Sequence, residues 1–355
     1  MVLFLASVVL GIVPMVFYAL VVWRLDRWEK EPIPLLIAAF LWGAMPSVVF
    51  ALIAQLVLGA PEPPAGGEAS LLSELYDASI LAPLTEELVK AFGVFLIFLL
   101  FRREIDSVLD GLIYGSMVGF GFAAVENVFY FAGQPDAASL LFLFFLRAFL
   151  FGMLHALFTG LTGVGLALGR FSSSPLMKLV WPILGLAAAM ATHGLHNYFA
   201  TLGGGYLLFS VLGITLGIAW FGLTMGICLY HENRWVRIHL SEEVESGVLC
   251  AEQALDAASF WHRGPLSGFS RGFIPAWRRR TLLQAAAELA YQKQKAIRHG
   301  ADPEENGRIA ILRERVRFLS RTDPLVVSGR IRPGHRLPPP LPPQRRIPPP
   351  LPQRG

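Results

Sequence analysis

The sequence contains little charge and little cysteine. Only 16% of its 355 residues are charged, whereas 54% are hydrophobic and the mean hydropathy is +0.53. Soluble globular proteins carry about 25% charged residues, so the composition excludes that class and indicates a chain that lies mostly in a lipid bilayer. The two cysteines, Cys228 and Cys250, support neither a disulfide framework nor a cysteine-based metal site.

Basic residues are in slight excess, with a net charge of +4 and a pI of about 9.2. In a membrane protein such residues mark cytoplasmic loops and contacts with anionic lipid headgroups. We therefore expect the lipid bilayer, and no nucleic acid, to be the partner of this charge.

Seven apolar stretches are long enough to cross the hydrocarbon core, which needs about 20 residues per helix. They are 2–23, 33–58, 79–101, 110–131, 140–169, 178–200 and 206–230. The first stretch has no positive segment before it and no clear cleavage site after it, so we expect a retained helix rather than a signal peptide. The sequence thus predicts an all-α, polytopic transmembrane helix bundle of about seven spans.

The connections between the spans differ in their content of lysine and arginine. Both residue types are absent from 59–78, 132–139 and 201–205, whereas Arg102 and Arg103 follow the third span and other basic residues follow the first, fifth and seventh. Because basic loops stay in the cytoplasm, this alternation predicts an N-terminus outside and a C-terminus in the cytoplasm.

The composition predicts three parts. Residues 1–230 form the transmembrane part, and residues 231–330 are expected to be a cytoplasmic, partly helical region with helical patterns over 281–298 and 307–320. Residues 331–355 are basic and rich in proline, which predicts a largely disordered polyproline II segment. This tail either binds a cytoplasmic partner or anionic lipid, or it is a solvated end without a specific partner.

Ionisable side chains inside the spans are the strongest functional signal, because each is unfavourable in lipid unless it is paired or faces a polar cavity. The third span opens with Glu86, Glu87 and Lys90. Glu86 and Lys90 share a helix face, whereas adjacent glutamates point in directions about 100° apart. We expect Lys90 to hold one carboxylate while the other points elsewhere. The alternative is a salt-bridged helix start capped by Thr85.

The fourth and fifth spans each carry an ionisable residue beside small residues. Gly111, Gly115 and Gly119 form a ridge that continues to Glu126, so we expect a second helix to approach closely and Glu126 to face the bundle interior. His155 lies on a similar stripe of the fifth span. Both residues could instead be structural hydrogen-bonding groups.

The sixth span ends with His193, His196 and Asn197. His193 and Asn197 share a face, with His196 displaced to the side. Two imidazoles and a carboxamide within one turn are hard to explain by packing alone. In the fifth span, Arg147 either marks the outer start of the membrane-spanning helix or pairs with a glutamate inside.

These polar side chains are predicted to lie at one depth. Glu86, Glu126 and His193 each lie about five or six residues from the outer end of their spans, or roughly 8 to 9 Å. His155 joins this layer if the fifth span effectively begins near Arg147. A shared depth is what one polar cavity requires.

Carboxylate and imidazole groups in a set of three or four suit zinc with an open position for water. A second carboxylate can then serve as general base, while an Asn or His side chain stabilises the oxyanion. The sequence therefore favours a divalent metal, with zinc first, and hydrolysis of a peptide bond within or beside the membrane.

The order of these motifs resembles the PrsW family of intramembrane proteases, which is related to the CAAX prenyl protease and bacteriocin-processing clan. The matching segments are Glu86-Glu87-x-x-Lys90, Asp110-Gly-Leu-Ile-Tyr-Gly through Glu126-Asn127, His155-Ala-Leu-Phe-Thr and His193-Gly-Leu-His-Asn197. The resemblance implies a metal-dependent protease in the bacterial cytoplasmic membrane. It also implies a membrane-anchored protein substrate cut near the outer face, since the best-known member cuts an anti-sigma factor there.

The resemblance assigns roles to single residues. The predicted catalytic residues are Glu86, Glu87 and Asn197, the predicted metal ligands are Glu126, His155 and His193, and the supporting residues are Lys90 and His196. The matched region does not include the C-terminal tail.

Two other classes of function remain open at this point. Buried Glu and His side chains also form proton or cation relays in transporters, although the sequence shows no pair of similar, broken halves. The third class is a noncatalytic membrane sensor that signals through its tail, and the complete set of Glu and His residues argues against it.

Overall fold

The computed structural model describes residues 1–26, 30–59, 70–259, 273–299 and 303–327. Most of these residues are helical, and no strand occurs among them. The α-helices are α1 (Val2–Leu25), α2 (Ile33–Trp42), α3 (Val48–Leu58), α4 (Leu71–Tyr76), α5 (Ala82–Leu100), α6 (Val108–Ala132), α7 (Ala137–Phe144), α8 (Leu154–Phe171), α9 (Pro175–Leu202), α10 (Leu207–Glu245), α11 (Ala251–Ala258), α12 (Phe273–His299), α13 (Pro303–Arg321) and α14 (Pro324–Val327).

Three short π-helical segments in the described residues, a feature that is frequent at functional sites, join or extend five of these helices. They are Gly43–Ser47, Asp77–Leu81 and Phe145–Leu150. The segment Asp77–Leu81 makes α4 and α5 one continuous helical run, so the run begins well before residue 79. Thr85 lies inside this run, where its hydroxyl donates to the Leu81 carbonyl at 2.8 Å, and it therefore caps no helix start.

Six helical segments of the described chain are long and apolar enough to cross a membrane. They are Val2–Leu25, Ile33–Leu58, Val108–Ala132, Ala137–Phe171, Pro175–Leu202 and Gly204–Glu245. The predicted span 79–101 corresponds to α5, a helix of 19 residues whose first half carries two glutamates and a lysine. The all-α transmembrane fold is confirmed, while the count of seven spans stays a prediction.

Helix α6 is the centre of the transmembrane part and is buried along almost its whole length. It packs closely against α8 because glycines remove side chains from the contact. A Cβ atom at Gly115 would lie 2.5 Å from the Thr159 carbonyl oxygen, and one at Gly119 would lie 2.3 Å from the His155 carbonyl oxygen. The glycine ridge predicted from the sequence thus allows the backbone of His155 to lie directly against α6.

The chain divides into two compact units, Met1–Tyr230 and His231–Gly355. In the second unit α12 packs on α13, and these helices contain the helical patterns predicted over 281–298 and 307–320. The three predicted domains and the cytoplasmic location of this unit stay predictions. The proline-rich segment 331–355 lies outside the described residues.

Candidate metal centre

Four helices bring the ionisable residues of the spans together. Helix α5 supplies two glutamates and a lysine, α6 supplies Glu126, α8 supplies His155 and α9 supplies His193. The contacts among them range from 2.9 to 3.9 Å, so they form one connected polar cluster within an apolar bundle. In a water-poor interior such contacts are electrostatically stronger than they are in water.

Lys90 is the hub of the α5 residues. Its Nζ atom donates to Glu86 Oε2 at 3.2 Å and to Glu87 Oε1 at 2.9 Å, and it lies 3.2 Å from His155 Nδ1. The expectation that Lys90 holds only one carboxylate is therefore wrong. Its flexible side chain reaches between positions i−4 and i−3, which flank it on the same side of the helix.

Each histidine of the cluster has one ring nitrogen beside a glutamate carboxylate. His155 Nε2 lies 2.9 Å from Glu126 Oε2, and His193 Nδ1 lies 3.1 Å from Glu87 Oε1. An ionised carboxylate only accepts hydrogen bonds, so these contacts place the ring protons on Nε2 of His155 and on Nδ1 of His193. The lone pairs that remain are on His155 Nδ1 and His193 Nε2.

The remaining lone pair of His193, on Nε2, lies on the side of Glu86. His193 Nε2 is 3.9 Å from Glu86 Oε2, and in the part of the chain that the structure describes, ligand atoms of Glu86, His155 and His193 all lie within 4.8 Å of one another. Two imidazoles and one carboxylate with a further position open is a ligand set of catalytic zinc sites. The residues present therefore fit a divalent metal of this kind.

The carboxylate in this group differs from the one in the predicted ligand set. The predicted ligand set has Glu126 with the two histidines, whereas the geometry places Glu86 there and leaves Glu126 bonded to His155 and Arg147. The ligand roles themselves stay predictions.

Glu87 is the most enclosed acid of the cluster. Its Oε1 atom accepts from Lys90 and faces His193, and its Oε2 atom accepts from the Thr159 hydroxyl at 3.1 Å. Its side chain is 0% exposed. These contacts suit a group that orients its neighbours rather than one that meets a substrate.

Arg147 lies in the π-helical segment Phe145–Leu150 and pairs with Glu126. Its Nε atom also donates to Asn127 Oδ1 at 3.0 Å. Of the two placements that the sequence left open for Arg147, pairing with a glutamate inside is the one observed. The side chains of Glu126 and Arg147 are 20% and 24% exposed, whereas that of Lys90 is fully buried. The cluster is therefore more open on the Arg147 side.

Asn197 and His196 lie next to the cluster without joining it. The Asn197 side chain donates to the Ala78 carbonyl at 2.8 Å and so links α9 to the π-helical segment before α5. The His196 ring packs against Phe151 and Phe158, with centroid distances of 5.0 and 6.4 Å, and its Nδ1 atom has no hydrogen-bond partner among the described residues. The oxyanion role predicted for Asn197 and the supporting role predicted for His196 stay predictions.

Gln55 of α3 is a site neighbour that the sequence analysis missed. Its Nε2 atom donates to Glu86 Oε1 and to Thr85 Oγ1, both at 3.3 Å. A carboxamide in the otherwise apolar stretch 33–58 was the signal that could have indicated it. Phe158 was missed as well, and its ring stacks on His193 at a centroid distance of 4.8 Å, which restrains the imidazole plane.

The fold and this cluster define a polytopic helical membrane protein whose bundle contains a group of Glu and His side chains that could hold a metal ion. A family model described as PrsW family intramembrane metalloprotease matches residues 31–227. The chain belongs to the PrsW family of intramembrane metalloproteases and is, with them, a peptidase. The matched range contains all the cluster residues and ends before the second unit begins.

Curated relatives with the name Protease PrsW support this membership. The Bacillus subtilis (strain 168) protein is 28% identical over 199 residues, which cover 56% of this chain and 84% of that protein. The Geobacillus kaustophilus (strain HTA426) protein is 30% identical over 157 residues, which cover 44% of this chain and 63% of that protein. The Clostridioides difficile (strain 630) protein is 30% identical over 131 residues, which cover 37% of this chain and 52% of that protein. No solved structure matches the chain.

Proposed function

We propose that this chain hydrolyses peptide bonds of membrane-anchored proteins at a divalent metal, with zinc favoured by the ligand types, held by Glu86, His155 and His193. The observation that carries the proposal is the pairing of each histidine with a second carboxylate, Glu126 for His155 and Glu87 for His193. Metal-ligating histidines generally have such a partner, because it fixes the tautomer and the ring orientation.

The other side chains of the cluster supply the remaining catalytic roles in this proposal. A metal held there supplies Lewis-acid polarisation of the scissile carbonyl and makes a water molecule more acidic. Glu126 is the proton acceptor in this proposal, because its carboxylate is 20% exposed while those of Glu86 and Glu87 are 8% and 0% exposed. Asn197 keeps the oxyanion role, with one of its two amide hydrogens already donated to Ala78.

The proposed location is the bacterial cytoplasmic membrane, with the N-terminus outside and the C-terminus in the cytoplasm. The alternation of basic and non-basic connections supports this orientation. It would place the cluster in the outer half of the bilayer, where the substrate is cut near the outer face. An anti-sigma factor with a single membrane span is the proposed substrate class, on the strength of the family resemblance.

The test uses the full-length protein in lipid nanodiscs, with measurement of bound zinc and of cleavage of a single-span substrate. We expect wild type to bind one zinc ion and to cleave, and His193→Ala and Glu86→Ala to lose both by more than about 100-fold, since even removal of a ligand's orienting partner weakens binding by about 10- to 100-fold. His231→Ala, a histidine of the second unit, is the matched control and should keep both activities.

Two results would overturn the proposal. Ion flux across vesicle membranes without substrate cleavage would indicate that the protein is a transporter. If the wild-type protein neither bound zinc nor cleaved the substrate, a noncatalytic sensor would be the remaining hypothesis.

A further inference from the structure

The hydrogen bonds of Lys90 use its whole donor capacity. An ammonium group has three N–H donors and no acceptor, and Lys90 Nζ has three acceptors at 2.9 to 3.2 Å: Glu86 Oε2, Glu87 Oε1 and His155 Nδ1. The side chain is 0% exposed, so water does not share in this arrangement.

Two of these three acceptors belong to Glu86 and His155, which are ligands of the proposed metal centre. The contact of His155 Nε2 with Glu126 leaves Nδ1 as the nitrogen with a lone pair, and Lys90 faces that nitrogen. A neutral imidazole has a single acceptor nitrogen with one lone pair in the ring plane. His155 Nδ1 can therefore accept a hydrogen bond from Lys90 or bind a metal, but it cannot do both at once.

Electrostatic repulsion between the Lys90 ammonium and a metal cation also opposes their simultaneous presence at His155. Zinc–nitrogen bonds are about 2.0 to 2.1 Å long, so a metal on His155 Nδ1 would come within a few ångströms of an ammonium that stayed in place. Like charges at such a distance repel strongly in a site shielded from water.

We propose that Lys90 is a built-in competitor of the metal, which holds Glu86 and His155 together in the metal-free protein and gives up His155 when the metal binds. The inference rests on the proposed function, because it concerns the same metal site. It makes Lys90 a positioning residue that stabilises the metal-free cluster and lowers the affinity for the metal. The protein thereby keeps a buried set of carboxylates paired until a metal arrives.

The experiment measures the zinc dissociation constant of the full chain in nanodiscs by competition with a chromophoric chelator. Lys90→Met removes the charge and all donors, and Lys90→Gln removes the charge but keeps an amide that can still bond a glutamate. We expect both variants to bind zinc at least about tenfold more tightly than wild type, because an opposing charge has been removed from a poorly screened site. Lys178→Met, at an exposed lysine, should bind zinc as wild type does.

A second measurement separates competition from general damage. Without metal, both Lys90 variants should unfold at a lower temperature than wild type, and zinc should raise the unfolding temperature of the variants by more than it raises that of wild type. Zinc affinity that is unchanged or weaker in the folded variants would overturn the inference, because Lys90 would then only support the ligands. Lack of zinc binding by wild type would instead overturn the proposed function.

Discussion

The two units of the chain each bury a glutamate among basic side chains, but the two networks differ in charge balance. In the second unit the Glu243 carboxylate accepts from Lys293 and Arg313, both at 2.9 Å, and Lys293 also pairs with Glu242. This network has two carboxylates and two cations. The hydrogen bonds that Arg313 donates to Glu243 also raise the pKa of the Arg313 guanidinium, so this group stays charged.

The cluster in the transmembrane unit has an excess of negative charge. Its three carboxylates are those of Glu86, Glu87 and Glu126, and its two cations are Lys90 and Arg147. Neutral imidazoles add no charge but leave two lone pairs. A bilayer interior penalises an uncompensated charge, so a bound metal cation would offset the excess charge of this cluster, whereas the network around Glu243 has no such excess.

The contrast shows how a structural ion network differs from a metal site. Buried charges of either kind perturb their surroundings, so burial alone does not identify a function. What distinguishes the transmembrane cluster is unmatched negative charge together with nitrogen lone pairs oriented by carboxylates.

The strongest test of the contrast removes the buried carboxylate from each network. Glu87→Ala leaves Lys90 with fewer partners and frees the His193 ring, so we expect the free energy of unfolding to fall by about 3–5 kcal/mol and zinc affinity to fall by about 10- to 100-fold. Glu243→Ala should destabilise by about 1–3 kcal/mol, since the Arg313 side chain is 36% exposed, and should leave zinc binding unchanged. Chemical denaturation and chelator competition measure the two quantities, and equal zinc loss in both variants would remove the distinction.

A smaller effect is expected when only the orienting charge is altered. Glu126→Gln keeps an oxygen that can face His155 Nε2 but loses the ion pair with Arg147. We expect zinc affinity to fall by about tenfold and cleavage to fall further, because the proposed proton acceptor is also lost. Glu242→Gln, in the balanced network, is the matched control and should change neither. Unchanged cleavage by the Glu126→Gln variant would show that Glu126 is not the proton acceptor.

The fold class and most of the cluster residues could be predicted from sequence because ionisable groups are conspicuous in an apolar span. The glycine ridge at Gly115 and Gly119 could also be predicted, since small residues at every fourth position indicate a close helix contact. The π-helical segment before α5 could not, because hydrophobic periodicity over so few residues does not distinguish a wider turn from an α-helical one.

Side-chain pairing inside the cluster was the least predictable part. Lys90 bonds both glutamates because its reach spans two neighbouring positions, whereas helix spacing alone predicts a bond to only one of them. The choice of Glu86 over Glu126 beside the histidines depends on ring orientations that only coordinates give. Gln55 carries no charge, and a single carboxamide in an apolar span indicates a site less clearly than an acid does, although Gln55 contacts Glu86.

Gln55→Leu supplies the mildest test of the charge argument. The substitution removes two long hydrogen bonds, each 3.3 Å, but leaves the numbers of carboxylates and cations as they are. We expect the free energy of unfolding to fall by only about 0.5–1.5 kcal/mol, the usual net contribution of one hydrogen bond, and zinc affinity to stay within about threefold of wild type. Gln134→Leu, at a partly exposed glutamine whose side chain donates to a nearby backbone carbonyl, is the control for the loss of a carboxamide. If Gln55→Leu weakened zinc binding as much as Glu126→Gln does, a neutral hydrogen bond to Glu86 would affect zinc affinity as much as charge does. Charge balance would then not explain the difference between the two networks.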